Sequence, residues 1–195
     1  NYVRLETDDP AEATPEDLVL ALQRGRNTVS FGPFVRLEAG GAQVGDTLIA
    51  DGEVTATVTV QAPTWIPFDR VELIDGSTNT VLAGGIVAPQ VVPAGGGERL
   101  EFTLNHTFTP DHDLWLTVLV TGSEGLFPGV PYNTSDPAAL TLEAVRAGDV
   151  EGPATAFALS NALYIDADGD GQVTPSHVVL PQDFASWRWE DRTRP

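Results

Sequence analysis

The run from Val54 to Val60 constrains this chain more than any other stretch. Val54, Ala56, Val58 and Val60 alternate with Thr55, Thr57 and Thr59, after Glu53. Successive side chains of an extended strand point to opposite faces, so the run predicts a strand with one buried face. Residues 69–74, 80–87, 99–108, 114–121 and 156–165 are further candidate strands. Gly or Pro punctuates most of the gaps, as in Asp75-Gly76-Ser77 and Gly95-Gly96-Gly97. Residues 27–38, rich in Val, Phe, Thr and Ser, predict a strand with a bulge or break at Gly32-Pro33. Gly45-Asp46 marks a turn. Six or seven short strands without intervening helices predict a mainly β fold. The expected form is an antiparallel β-sandwich, immunoglobulin-like, with a small barrel as the alternative.

One helix is marked at both ends, over residues 15–24. Thr14 is a good N-cap, Pro15 takes the first helical position, and Asp17 takes the third. Leu18, Ala21 and Leu22 form an apolar face, and Gly25 is a natural residue just past the end. Residues 123–152 contain Pro128, Pro131 and Pro137 and then a stretch, 138–147, with helical character. They read as a long, partly helical insertion in the sandwich, with one short helix around 138–142.

Charge excludes whole classes of function. Asp and Glu number 28 against ten basic residues, all of them Arg, for a formal charge of -18. Such a field repels a phosphate backbone, and the clustered cations needed to displace counterions are lacking. Nucleic acid and anionic membrane surfaces are therefore excluded as partners. Solubility, adaptation to high salt and divalent-cation binding each account for the acidity. No apolar run approaches the ~20 residues of a membrane-spanning helix, so no membrane insertion is expected. No signal-peptide pattern opens the chain, which starts at Asn1 and lacks Met; it reads as a mature product, a fragment or a trimmed chain. With no Cys there is no disulfide, thiolate metal site or cysteine nucleophile. The all-Arg basicity fits a GC-rich bacterial genome.

The sharpest local motif is Asp166-Ala167-Asp168-Gly169-Asp170-Gly171-Gln172-Val173. Asp at positions 1, 3 and 5 with Gly at 6 is the first half of an EF-hand-type calcium loop. Alternate carboxylates converge on one point, and Gly at 6 permits the sharp turn that lets them. Asp166, Asp168 and Asp170 are the expected carboxylate ligands, Gln172 supplies a main-chain carbonyl, and Val173 anchors the loop. Position 12 is His177 rather than Glu, so Asp183, Glu190 or water must complete the set. The expected ion is a structural calcium of the weak extracellular type, which favours an extracytoplasmic location; no transition metal is expected. The plainer alternative is a solvated acidic turn after a strand.

Other chemistry is thin. His106, His112 and His177 fall in no zinc spacing. His112, within Asp111-His112-Asp113, is either a carboxylate-oriented general base or part of a polar start to a strand. No G-x-S-x-G elbow is present, and Gly95-Gly96-Gly97 lacks the Lys and helix of a phosphate cradle. The tail 184–190 alternates aromatic and polar residues. Trp187 and Trp189 there face the core of a closing strand or form a platform for a sugar or partner chain.

Thr14-Pro15-Glu16-Asp17-Leu18, Gly25-Arg26-Asn27-Thr28-Val29 and Gly32-Pro33-Phe34-Val35 together resemble the last helix and strand of PHP-type metallohydrolases of the CehA/McbA-like group. Asp111-His112-Asp113-Leu114-Trp115 and the run from Ala158 to Gly171 are similar to the C-terminal β-domain of many of those proteins, with Ala162 standing where Pro is expected after Asn. The resemblance spans about residues 1–172. It implies a helix–strand segment, residues 1–40, from the end of a catalytic barrel, followed by an accessory β-sandwich, residues 41–195. The family's metal-binding residues lie upstream of the matching region, so none carries over. The expected function is a non-catalytic, calcium-stabilised module whose partner is a missing catalytic domain or identical chains. Two alternatives stand beside it. One is an extracellular structural or adhesive protein that self-associates through acidic sandwiches, using exposed strands such as 53–61. The other is a hydrolase in its own right, with His112 and its neighbouring Asp residues as candidates.

Overall fold

The computed structural model describes residues 1–7, 9–125, 131–133, 151–153 and 155–174. After β1 (Tyr2–Val3) and helix α1 (Pro15–Gln23) come β2 (Asn27–Ser30), β3 (Phe34–Ala39), β4 (Ala42–Gln43), β5 (Thr47–Ile49), β6 (Val54–Pro63) and β7 (Arg70–Asp75). β8 (Thr80–Ile86), β9 (Gln90–Ala94), β10 (Gly97–Phe108) and β11 (Leu114–Gly125) follow. β12 (Pro131–Asn133), β13 (Glu151–Pro153), β14 (Thr155–Ser160) and β15 (Leu163–Asp166) complete the set.

Two sheets face each other. One runs β4-β3-β6-β10-β9. In the other, β7 lies between β8 and β11, and the far side of β11 pairs first with β15 and then with β14. β2 and then β1 lie beyond β14, while β5 runs parallel to β15. Every other pairing is antiparallel, so the fold is a mainly antiparallel β-sandwich. Val54, Ala56, Val58 and Val60, the alternating set anticipated from sequence, form the buried face of β6. Val54, Ala56, Val58, Val60 and Ala62 of β6, with Val35 and Leu37 of β3, meet Val71 and Leu73 of β7 and Leu116, Val118 and Val120 of β11. Strands on both sides of residue 40 share the sheets, because β2 pairs β14 and β3 pairs β6.

The strand expected over 27–38 is two strands in different sheets. The break at Gly32-Pro33 is where the chain crosses the sandwich. Gly32 has φ +116, and a Cβ there would lie 2.6 Å from Ile66 Cδ1, so only glycine makes the crossing. Residues 156–165 likewise divide. The Ser160 hydroxyl accepts the Val118 amide at 2.9 Å, and the chain bends so that β14 meets β2 while β15 meets β5. Strand 53–61, expected as an exposed contact strand, lies in the middle of its sheet between β3 and β10. Its edges are already paired, and strand addition there is ruled out. The short strands β4, β5 and β9 were not anticipated; β4 and β5 span too few residues for a period to show.

The helix forms as its signals dictate. Thr14 and Asp17 make a reciprocal capping box, Pro15 opens the first turn, and Gly25 follows with φ +70. Its packing is slight: only Ala21 is buried, and Leu18, Val19, Leu20 and Leu22 are 43–52% exposed. The preceding N-terminal segment is tied down electrostatically. Asp46, in the Gly45-Asp46 turn, accepts from Arg4 at 2.8 Å and Arg26 at 3.0 Å, and Arg26 also pairs with Glu6. Burial alone would raise the Asp46 pKa, but these arginines and the Gln43 amide more than offset it and hold it below the ordinary value. β12 and β13 pair with each other within the expected insertion, while its helical stretch 138–147 lies outside the described residues.

Candidate metal centre

Asp113, Asp166 and Asp168 place carboxylate oxygens within 4.8 Å of one another. Sheet register brings the first two together. β11 and β15 pair with Leu114 opposite Ile165, so one more step outward sets Asp113 against Asp166. Asp168 then joins them from the loop that leaves β15.

Main-chain amides shape that loop around the two buried carboxylates. Asp166 Oδ1 accepts the Gly169 amide at 2.7 Å, and Oδ2 accepts the Gly171 amide at 2.8 Å. Gly171, the sixth position of the motif, has φ +84, the left-handed conformation that the sharp turn requires. Asp113 clasps both ends of the loop: the Ala167 amide donates to Oδ1 at 2.8 Å and the Thr174 amide to Oδ2 at 2.7 Å. The Thr174 and Ala167 amides are what hold the Asp113 pKa below its ordinary value, so the group is an anion at neutral pH. Among the described residues, none of the three carboxylates has an Arg or His within ion-pairing distance.

Two of the four expected ligands therefore converge, Asp166 and Asp168, and a third, Asp113, joins from 53 residues away. Asp170 is exposed and stands outside the group; its carboxylate accepts the Gln172 amide at 2.7 Å. Gln172 is exposed on the same turn. His177, Asp183 and Glu190 lie outside the described residues, as do Trp187 and Trp189. Every donor gathered is a carboxylate oxygen. Each oxygen of Asp113 and Asp166 has a lone pair beyond the one its amide uses, so the described residues offer a hard, all-oxygen donor set of the kind that divalent cations such as calcium or magnesium take.

His112 lies in a second polar cluster at the same end of β11. Its Nδ1 is 2.6 Å from Asp111 Oδ1, and its Nε2 is 3.3 Å from Ser77 Oγ. These are the partners of a Ser-His-Asp array, but the chemistry does not follow. Ser77 is buried and donates its hydroxyl proton to Asp75 Oδ1 at 2.6 Å, so it presents no nucleophile to a substrate. Asp75 also accepts the Ser77 amide and the Thr78 hydroxyl at 2.7 Å, and its Oδ2 lies 3.5 Å from His112 Nε2. The cluster closes the β7–β8 turn. His106, on the inward register of β10, stacks on Phe108 with ring centroids 5.6 Å apart.

Comparison with known protein families, characterised proteins and solved structures finds no match to this chain.

Proposed function

We propose that this chain is a non-catalytic β-sandwich module whose carboxylate-rich end is held by one structural calcium ion. The observation that carries the reading is the convergence of Asp113, Asp166 and Asp168. Two buried carboxyl groups and a third beside them, with no Arg or His of the described residues paired to them, form an arrangement that a divalent ion would compensate. The ion would bridge the start of β11 and the loop after β15.

The module would serve as the accessory part of a metal-dependent hydrolase, as the resemblance to the PHP-type group implies. The exposed apolar residues of α1 support this, since a helix built to pack on a neighbouring body leaves such a face open. The immunoglobulin-like reading is supported by strand order. β3-β6-β10-β9 and β8-β7-β11-β14 follow the A-B-E-D and C′-C-F-G sheets of that fold when the strands are lettered along the chain.

The test is equilibrium dialysis of the purified chain against calcium, zinc and manganese, followed by elemental analysis. The expected result is one calcium per chain with negligible zinc and manganese. Two transition-metal ions per chain, or no retained calcium at millimolar concentration, would overturn the reading.

A further inference from the structure

The two sheets differ on their outer faces. β6 and β10, in the middle of one sheet, turn Thr55, Thr57, Thr59, Thr103, Asn105 and Thr107 outward, and the Thr57 hydroxyl bonds to Asn105 there at 2.9 Å. This is the polar exterior of a sheet with one solvated face. β11, in the middle of the other sheet, turns out Trp115, Thr117, Leu119 and Thr121. Leu159 lies opposite Leu119, Val29 opposite Leu159, and Tyr164 opposite Trp115. Apart from the buried Asp113 and Asp166 at its margin, the charges that β7, β11, β14 and β15 bring to this face are Arg70 and Glu72, which pair with each other at 2.6 Å. Apolar residues on both faces mark a sheet covered on both sides, yet Val29, Leu159 and Tyr164 are 38–46% exposed.

The chain itself supplies a cover. Asp113 stands two residues before Trp115, and Asp166 two residues beyond Tyr164, so these carboxylates share the face of the aromatic pair. The Thr174 amide donates to Asp113 Oδ2 at 2.7 Å. Residues 175–195, outside the described set, therefore start at the margin of the open face. An extended chain advances about 3.3 Å per residue and strands lie about 4.8 Å apart, so about five residues suffice to cross from β7 over β11 and β14 to β2. The tail holds Val178, Val179, Leu180, Phe184, Trp187 and Trp189. It also balances Arg188, Arg192 and Arg194 against Asp183, Glu190 and Asp191, so the formal charge of -18 lies in the residues before it. A neutral, apolar segment tethered at the margin meets the face at high effective concentration. A second copy would instead bring a charge of -18 against its own kind.

We propose that residues 175–195 dock across this outer face, with Phe184, Trp187 and Trp189 seated on Leu119, Leu159 and Val29. The docking does not depend on the calcium ion. The chain has no Cys, so Ser186→Cys gives one site for a nitroxide label in the full chain. Paramagnetic relaxation of backbone amides is then read by NMR against a diamagnetic label. The effect falls with the sixth power of distance and the sheets pack about 10 Å apart, so enhancement at Leu119, Leu159 and Tyr164 should exceed that at Thr57 and Asn105 at least about tenfold. Leu159→Glu, at a part-exposed position, should reduce the enhancement at least about threefold, because docking would bury an unpaired carboxylate. Circular dichroism checks that this variant keeps the fold. In a mixture of labelled chain with unlabelled, isotope-enriched chain, the enhancement should vanish. Persistence in the mixture would assign the face to another copy's tail and overturn the proposal. Equal enhancement on both faces, enhancement centred elsewhere, or a folded Leu159→Glu chain that keeps the full effect would overturn it as well.

Discussion

Asp168→Asn separates a calcium site from a merely acidic turn. Asp168 Oδ1 accepts the Asp170 amide at 3.1 Å, and an Asn side-chain oxygen accepts the same bond. The substitution therefore removes a charge and a ligand while keeping the turn. Without calcium, three carboxylates within 4.8 Å repel one another, so the variant should be at least as stable as the parent. With calcium the order should reverse. A site in the weak extracellular range, Kd about 0.1–1 mM, gains about 1.4–2.7 kcal/mol from about 10 mM free calcium. For a chain of 195 residues this is a rise in Tm of roughly 3–11 °C. The assay is a thermal melt followed by circular dichroism, in chelator, in about 10 mM calcium, and in magnesium at equal ionic strength. Magnesium is the necessary control, because any divalent ion screens a charge of -18. The parent should respond to calcium well beyond magnesium, and the variant should lose most of that excess. Equal shifts with both ions, or a variant that keeps the calcium response, would refute the reasoning.

Leu73→Ala, at a fully buried position facing the opposite sheet, should cost about 2–5 kcal/mol, read from the urea midpoint at constant m-value. Thr14→Ala should cost about 1 kcal/mol, but locally: α1 buries only Ala21, so amide exchange in the helix should quicken while the global midpoint barely moves. Burial would raise the Asp75 pKa, but hydrogen bonds from Ser77 and Thr78 outweigh it and leave the pKa lowered. A carboxyl with a depressed folded pKa contributes stability above its unfolded value, about 3.9, and loses it as pH falls through the folded value. Asp75→Asn should flatten that acid limb in urea titrations below about pH 4, and an unchanged limb would show that Asp75 does not contribute to it.

What was legible in the sequence were features written in consecutive residues. The alternation of Val54 to Val60 gives the buried face of β6, and Thr14, Pro15, Asp17 and Gly25 give the helix and both its ends. The crossing at Gly32-Pro33 was visible as a break but not as a change of sheet. A local signal says that the ladder stops, and only the position of Ile66 says where the chain goes next. Asp166, Asp168 and Gly171 were legible because one tight turn joins them.

Asp113 was hidden for a different physical reason. Its place beside Asp166 depends on the register of β11 against β15, which many long-range contacts set together. The triplet Asp111-His112-Asp113 looked like one acid–base cluster because its members are adjacent in the chain. In the fold, β11 runs between β7 and β15, and neighbouring members of the triplet turn to different partners. His112 turns to Ser77 and Asp75 at the β7–β8 turn, and Asp113 turns to the amides of Ala167 and Thr174. One tripeptide thus closes two loops on opposite flanks of the same strand. Its charge density follows from this double duty: each loop supplies main-chain or hydroxyl donors, and a carboxylate or imidazole is the short side chain able to meet them.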